Sequence, residues 1–161
     1  MNVIYKIAEL GTMNKKYGKE EFYKNMKKYF SQKEYNLMNP GHIENGEGVY
    51  VSYYDSKDKL IGIASITKTK QGENKYRTGG FITIGVTDDF KSKGMSKKIL
   101  KDISSSSGYD DVYASIDKSN IKSIRLHRGL GFVESSEERK KFLRSIGVVD
   151  DNHIRLHKKM R

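Results

Sequence analysis

Between Lys19 and Leu37 the apolar residues Phe22, Met26, Tyr29 and Phe30 recur at helical spacing among lysines and glutamates, and Pro40-Gly41 closes the run. This spacing predicts one amphipathic helix whose aromatic stripe faces a core. Ahead of it, the imperfect alternation in "NVIYKIAEL", within residues 1–10, reads as a first strand. Three runs rich in branched and aromatic residues follow: "GVYVSYYDS" (48–56), "LIGIASITKT" (60–69) and "YRTGGFITIGVT" (76–87). The polar links between them, "DSKDK" and "KQGENK", are short enough for hairpins, so an antiparallel meander is expected.

After Val86 the period changes. Met95, Ile99, Leu100 and Ile103 mark one face of a helix that runs into "SSSSG", and "DDVYASID" (110–117) reads as another strand. A strand, a helix and a strand in this order predict a right-handed crossover joining parallel neighbours. A short helix from Ser119 to Leu130 follows directly, with Ser119 or Asn120 as its cap and Gly131 as its stop. "GFVES" and "NHIRLHKKM" offer the last strands, joined through "SEERKKFLRSIGVVDD".

At 161 residues the chain fits one domain, 1–161, large enough to bury a core without staples. It has no cysteine, which excludes thiolate catalysis, disulfide frameworks and cysteine-ligated metal sites and suits a reducing compartment. The N-terminus lacks the apolar block of a signal peptide, and no run approaches the ~20 apolar residues of a membrane span, so a cytoplasmic location away from membranes is expected. A net charge of +11 predicts attraction to an anion: nucleic acid, a phosphorylated cofactor or an anionic membrane surface. A solvated lysine-rich surface with no partner explains the charge equally well.

The turn "VTDDFKSKGMSKKIL" sharpens this choice. A helix start exposes unpartnered N–H groups and partial positive charge. Gly94 keeps no side chain between an anion and those groups, Ser96 is small, and Lys91, Lys93, Lys97 and Lys98 add mobile charge. Neither the P-loop pattern nor G-x-G-x-x-G is present, which argues against nucleotide hydrolysis. One strand later, Asn120, Ser123 and His127 share one helix face. If the strands at 81–87 and 110–117 are parallel neighbours, both following helices begin at one sheet edge, where open α/β sheets bind ligands.

Together these two segments resemble the GNAT superfamily of acyl-coenzyme A-dependent N-acyltransferases. The family's [QR]-x-x-G-x-[GA] is matched by Lys91-Ser92-Lys93-Gly94-Met95-Ser96, preceded by Val86 and by Phe90. Its N-x-x-A-x-x-x-Y-x-x-x-G-F is matched by Asn120, Ser123, His127, Gly131 and Phe132. The close resemblance covers roughly residues 80 to 133. It implies an α/β (α+β) three-layer fold with a mixed central sheet of about six to seven strands and helices on both faces. It also implies an acetyltransferase that uses acetyl-CoA as co-substrate, without a metal. Backbone groups of Ile84 and Val86 would bond the pantetheine arm and the acetyl carbonyl. Amides of Ser92, Lys93, Gly94, Met95, Ser96 and Lys97 would hold the pyrophosphate, with Lys91 attracting phosphate, and Asn120 would touch the arm.

The chain departs from the family at Lys91, at Ser96 and, most of all, at His127, which stands where relatives often use a tyrosine to protonate the departing thiolate. His127 is accordingly the expected proton donor, with an imidazole near pKa ~6.5. No base is evident: Ser115 occupies the position of a glutamate found in some relatives, and Glu44, Glu47, Asp117 and His42 are candidates by position only. The amine acceptor is unnamed. The charge disfavours polycations and favours an amine carried on an anion such as charged tRNA. Two other readings stand beside this one: a nucleic-acid-binding module using the lysines and eleven tyrosines, and a GNAT-like acyl-CoA binder without catalysis. The oligomeric state is open, a homodimer included.

Overall fold

The computed structural model describes residues 13–38, 47–69, 73–145 and 152–161; the strand expected within residues 1–10 lies outside them, as do His42 and Glu44. In chain order the elements are β1 (Asn14–Tyr17), α1 (Lys19–Tyr29), α2 (Gln32–Leu37), β2 (Gly48–Tyr54), β3 (Leu60–Lys68), β4 (Gly79–Val86), α3 (Met95–Ser106), β5 (Asp111–Asp117), α4 (Ile121–Gly129), β6 (Val133–Glu134), α5 (Glu137–Ser145) and β7 (His153–Lys159). Among the described residues the strands form one seven-stranded mixed sheet in the order β1-β2-β3-β4-β5-β7-β6. β1 to β4 are antiparallel neighbours, β4 and β5 run parallel, and β7 lies antiparallel between β5 and β6.

The meander follows from its turn chemistry. Asp55 Oδ1 accepts the N–H groups of Lys57 and Lys59 at 2.8 and 2.9 Å, closing the β2–β3 hairpin. Two cores flank the sheet. On one face Ile61, Ile82, Val86 and Leu156 pack against Met95, Ile99, Leu100 and Ile103 of α3 and Ile124 of α4. On the other, Tyr50, Tyr54, Leu60 and Ile63 pack against Phe22, Met26, Phe30 and Met38. α3 buries the stripe its spacing predicts, and so do Phe22, Met26 and Phe30 of the first stripe, whereas Tyr29 stays exposed.

The helix expected from Lys19 to Leu37 is two helices. Phe30 is extended (φ −119°, ψ 140°), and Ser31 starts α2 with a capping box. Glu34 N–H donates to Ser31 Oγ at 3.2 Å, and Ser31 N–H donates to Glu34 Oε1 at 3.0 Å. The break folds α2 onto β4: Thr83 Oγ1 donates to the Met38 carbonyl at 3.3 Å, and a Cβ on Gly85 would collide with Met38 and Phe30. β4 begins at Gly79 rather than Tyr76, and "SEERKKFLRS" holds α5, started by Ser136 Oγ accepting from Arg139 N–H at 3.1 Å.

A polar network pins β5 to β4 and β7 at the strands' paired end. The fully buried Asp111 carboxylate accepts from Arg77 Nε and Nη2 at 2.8 and 2.9 Å, from Glu73 N–H at 2.9 Å and from His157 Nε2 at 2.9 Å. Burial works to raise this carboxyl, but the bonds from Arg77, the Glu73 backbone and His157 outweigh it and hold its pKa at about 2.

Candidate active site

β4 and β5 pair only from Gly79–Asp111 to Phe81–Tyr113, whereas β5 stays paired with β7 as far as Asp117. Beyond Phe81 the two parallel strands part. Thr87 N–H donates to the Ile61 carbonyl and Thr69 N–H to the Gly79 carbonyl, both at 2.9 Å, which fixes the alternation along β4. Odd-numbered residues bond β3, so the N–H and C=O groups of Ile84 and Val86 face the gap. An extended ligand can bond such groups as an added strand would. The gap opens into a cavity of about 480 Å³, walled by β4, β5, Phe30, Glu34 and Met38, and continuing to the first turns of α3 and α4.

The far end of this cavity is built for negative charge. Gly94, the N-cap of α3, has φ +78° and makes no side-chain cap, whereas Ser31 and Asn120 cap α2 and α4. The N–H groups of Met95, Ser96 and Lys97 thus start a helix without a capping side chain. Ser92 also sits at positive φ (+63°) in the loop before α3. The lysines differ in partners. Lys91 Nζ lies 2.8 Å from Asp88 Oδ1 and 3.2 Å from Glu34 Oε2. The Asp88 hydrogen bond, with that of Glu34, raises the Lys91 pKa. Burial works to raise Glu34, but its bonds from Ser31 and Lys91 hold it below the usual carboxylate range. Lys93 lies over the Phe90 ring, 5.6 Å from its centroid.

Across the gap, Asn120 caps α4 by accepting from Ser123 N–H at 3.3 Å. One turn on, His127 is 4% exposed and packs edge-on against Phe132, with centroids 5.1 Å apart. Its Nδ1 lies 2.7 Å from the Ser123 carbonyl oxygen. A carbonyl only accepts, so Nδ1 carries the proton and Nε2 of the neutral ring carries a lone pair. Burial pushes the ring's pKa below its ordinary value, only partly opposed by the Ser123 bond. The resting ring is neutral and has no proton at Nε2 to donate. Asp117, which lines the cavity, accepts from Ser119 N–H at 2.8 Å and Ser119 Oγ at 2.6 Å. The Ser119 side-chain and backbone bonds hold its pKa low, which makes it a weak base.

Ile84, Val86, Lys91, Ser92, Gly94, Met95, Ser96, Lys97, Asn120 and His127 all line the one cavity; Lys93 does not. Glu34 and Lys122 were missed by sequence reasoning. Glu34 is signalled by the S-x-x-E box at Ser31, and Lys122 by its place in the first turn of a helix already marked by Asn120. Among the described residues no group of three histidine, aspartate or glutamate side chains is placed to hold a metal ion, and no helix is long and apolar enough to cross a membrane.

A split parallel strand pair and the uncapped start of a helix share one cavity in an α/β fold. The model of the acetyltransferase (GNAT) family matches residues 13–132, and the chain belongs to this family. It is thus an acyltransferase that moves an acetyl group to an amine. Its fold is similar to that of the Vibrio cholerae spermidine N-acetyltransferase in complex with CoA and spermine: 15% identity, 92% of this chain and 96% of that one covered, TM-score 0.59. It is similar also to a Bacillus subtilis acetyltransferase in complex with CoA: 17% identity, 93% and 100% covered, TM-score 0.60. No curated protein matches the chain.

Proposed function

We propose that the protein binds acetyl-CoA along the β4–β5 gap and hands the acetyl group directly to an amine in a ternary complex, with His127 relaying the proton. The observation that carries this reading is that one cavity joins the strand edge at Ile84 and Val86, the uncapped start of α3 and the buried ring of His127. In it, Ile84 and Val86 bond the pantetheine arm and the acetyl carbonyl through their backbone. Amides from Ser92 to Lys97 receive the pyrophosphate, and Asn120 bonds the arm. The coenzyme supplies an activated thioester.

The chain must still move one proton, from the attacking amine to the departing sulfur. Neutral His127 accepts it at Nε2 as the C–N bond forms and returns it to the sulfur as the C–S bond breaks. The amine proton ends on the thiol and the enzyme is unchanged. The lowered pKa suits both halves, since the ring is unprotonated at rest and a good acid once charged. This relay also supplies a base, a role for which Glu34 and Asp117, the cavity's carboxylates among the described residues, are held at low pKa.

His127→Gln should lower thiol release by about 10²- to 10⁴-fold while CoA affinity stays within about twofold. In the wild type, turnover should fall as pH drops through the ring's depressed pKa, and that acid limb should vanish in the variant. A variant that keeps wild-type turnover would remove His127 from the chemistry. The net charge of +11 favours an acceptor carried on an anion, with charged tRNA as the example, in a reducing cytoplasm. Comparing charged tRNA with free amines in the same thiol assay tests that preference.

A further inference from the structure

The cations around the start of α3 are not equivalent. Lys91, at the first position of the Gly94 motif, is held between two carboxylates, Asp88 and Glu34. Drawing it to a phosphate would leave both of them uncompensated beside new negative charge. Its second partner also serves the fold, because Glu34 Oε1 closes the α2 capping box while Oε2 takes Lys91, so one carboxylate joins α2 to the loop before α3. Lys93 is turned onto Phe90. Lys122 reaches the loop from α4. It lines the cavity, its Nζ lies 3.3 Å from Ser92 Oγ, and among the described residues it pairs with no carboxylate. To meet an anion it gives up only a contact with a neutral hydroxyl.

We infer that Lys122, acting with the α3 amides, meets the phosphate charge of the coenzyme, while Lys91 is a clasp that holds α2 against the cavity through Glu34. The inference rests on the function proposed above. Phosphate recognition thus passes from the motif lysine to a lysine one strand later, and Lys91 secures the helix whose neighbours Phe30 and Met38 cover Gly85 of β4.

Calorimetric titration of CoA into the wild type, K122A, K122R, K91A and E34Q, at low and high salt, tests this division. K122A should bind about fivefold more weakly, with a shallower salt dependence, and K122R should stay within about twofold of the wild type. K91A and E34Q should each keep CoA affinity within about twofold but melt about 2 to 4 °C lower, because the clasp is lost. Wild-type affinity in K122A, or a fivefold loss in K91A, overturns the division. A wild type that binds no CoA overturns the proposed function and this inference together, whereas a wild type that binds alongside an unaffected K122A overturns this inference alone.

Discussion

Asp111→Asn strikes the paired end of the two site strands, ahead of the point where they diverge. The native carboxylate is fully buried and takes four donated bonds, two of them from Arg77, while Arg77 keeps 21% of its side chain exposed. An asparagine retains one acceptor oxygen and leaves Arg77 without its charged partner. Breaking a buried, hydrogen-bonded ion pair costs about 3 to 5 kcal/mol, and the partial exposure of Arg77 favours the lower figure. At about 2 to 4 °C per kcal/mol for a chain of this size, the melting temperature should fall by about 6 to 12 °C at pH 7. The pH dependence gives a second check. The folded pKa of about 2 lies below the ordinary 3.8, so the carboxylate's contribution is complete above the ordinary value and disappears as pH falls through the folded one. That separation is worth about 2 kcal/mol, so wild type and variant should converge between about pH 5 and pH 2. Thermal melts followed by circular dichroism across this range measure both. A variant within about 2 °C of the wild type at pH 7, or a gap that ignores pH, would refute the reasoning.

Two further substitutions probe the walls of the cavity. Ser31→Ala removes one half of the α2 capping box and should cost about 1 kcal/mol, read as a melting temperature lower by about 2 to 4 °C. Gly94→Ala places a Cβ at φ +78°, where it meets no neighbour, so the penalty is backbone strain of about 1 to 2 kcal/mol. If strain tilts the α3 amides, calorimetry should also show CoA affinity about tenfold lower.

Much of the sheet is legible because its strands are runs of branched and aromatic residues separated by links with clear turn chemistry. β2 to β5 begin and end within three residues of the expected positions. α3 is legible because Met95, Ile99, Leu100 and Ile103 share its buried face, and α4 because Asn120 and Gly131 mark its ends. The break between α1 and α2 is hidden by Phe22, Met26 and Phe30, which keep one period although the backbone turns at Phe30; only the S-x-x-E box marks it. α5 carries Phe142 and Leu143 as its sole apolar residues, too few for a periodic stripe. β1 has all four side chains exposed and so lacks alternation.

The cavity residues were legible as two motifs because one strand separates them and the parallel sheet brings both helix starts to the same edge. What linear order does not carry is charge pairing. Lys91 and Lys122 look alike in sequence, yet Lys91 meets Glu34, fifty-seven positions earlier, and Lys122 meets Ser92, thirty positions earlier. The protonation state of His127 is likewise set by a backbone carbonyl one turn away and by burial, neither of which residue type reveals.

The central claim is tested most directly by adding acetyl-CoA at low salt, following thermal stability, and then measuring free thiol across amines, peptides and charged tRNA. At about a hundred times its dissociation constant the ligand should add about 2.7 kcal/mol, a rise of about 5 to 10 °C, and one thiol should appear per acceptor acetylated. A melting temperature unmoved by any acyl-CoA at low salt would contradict the account.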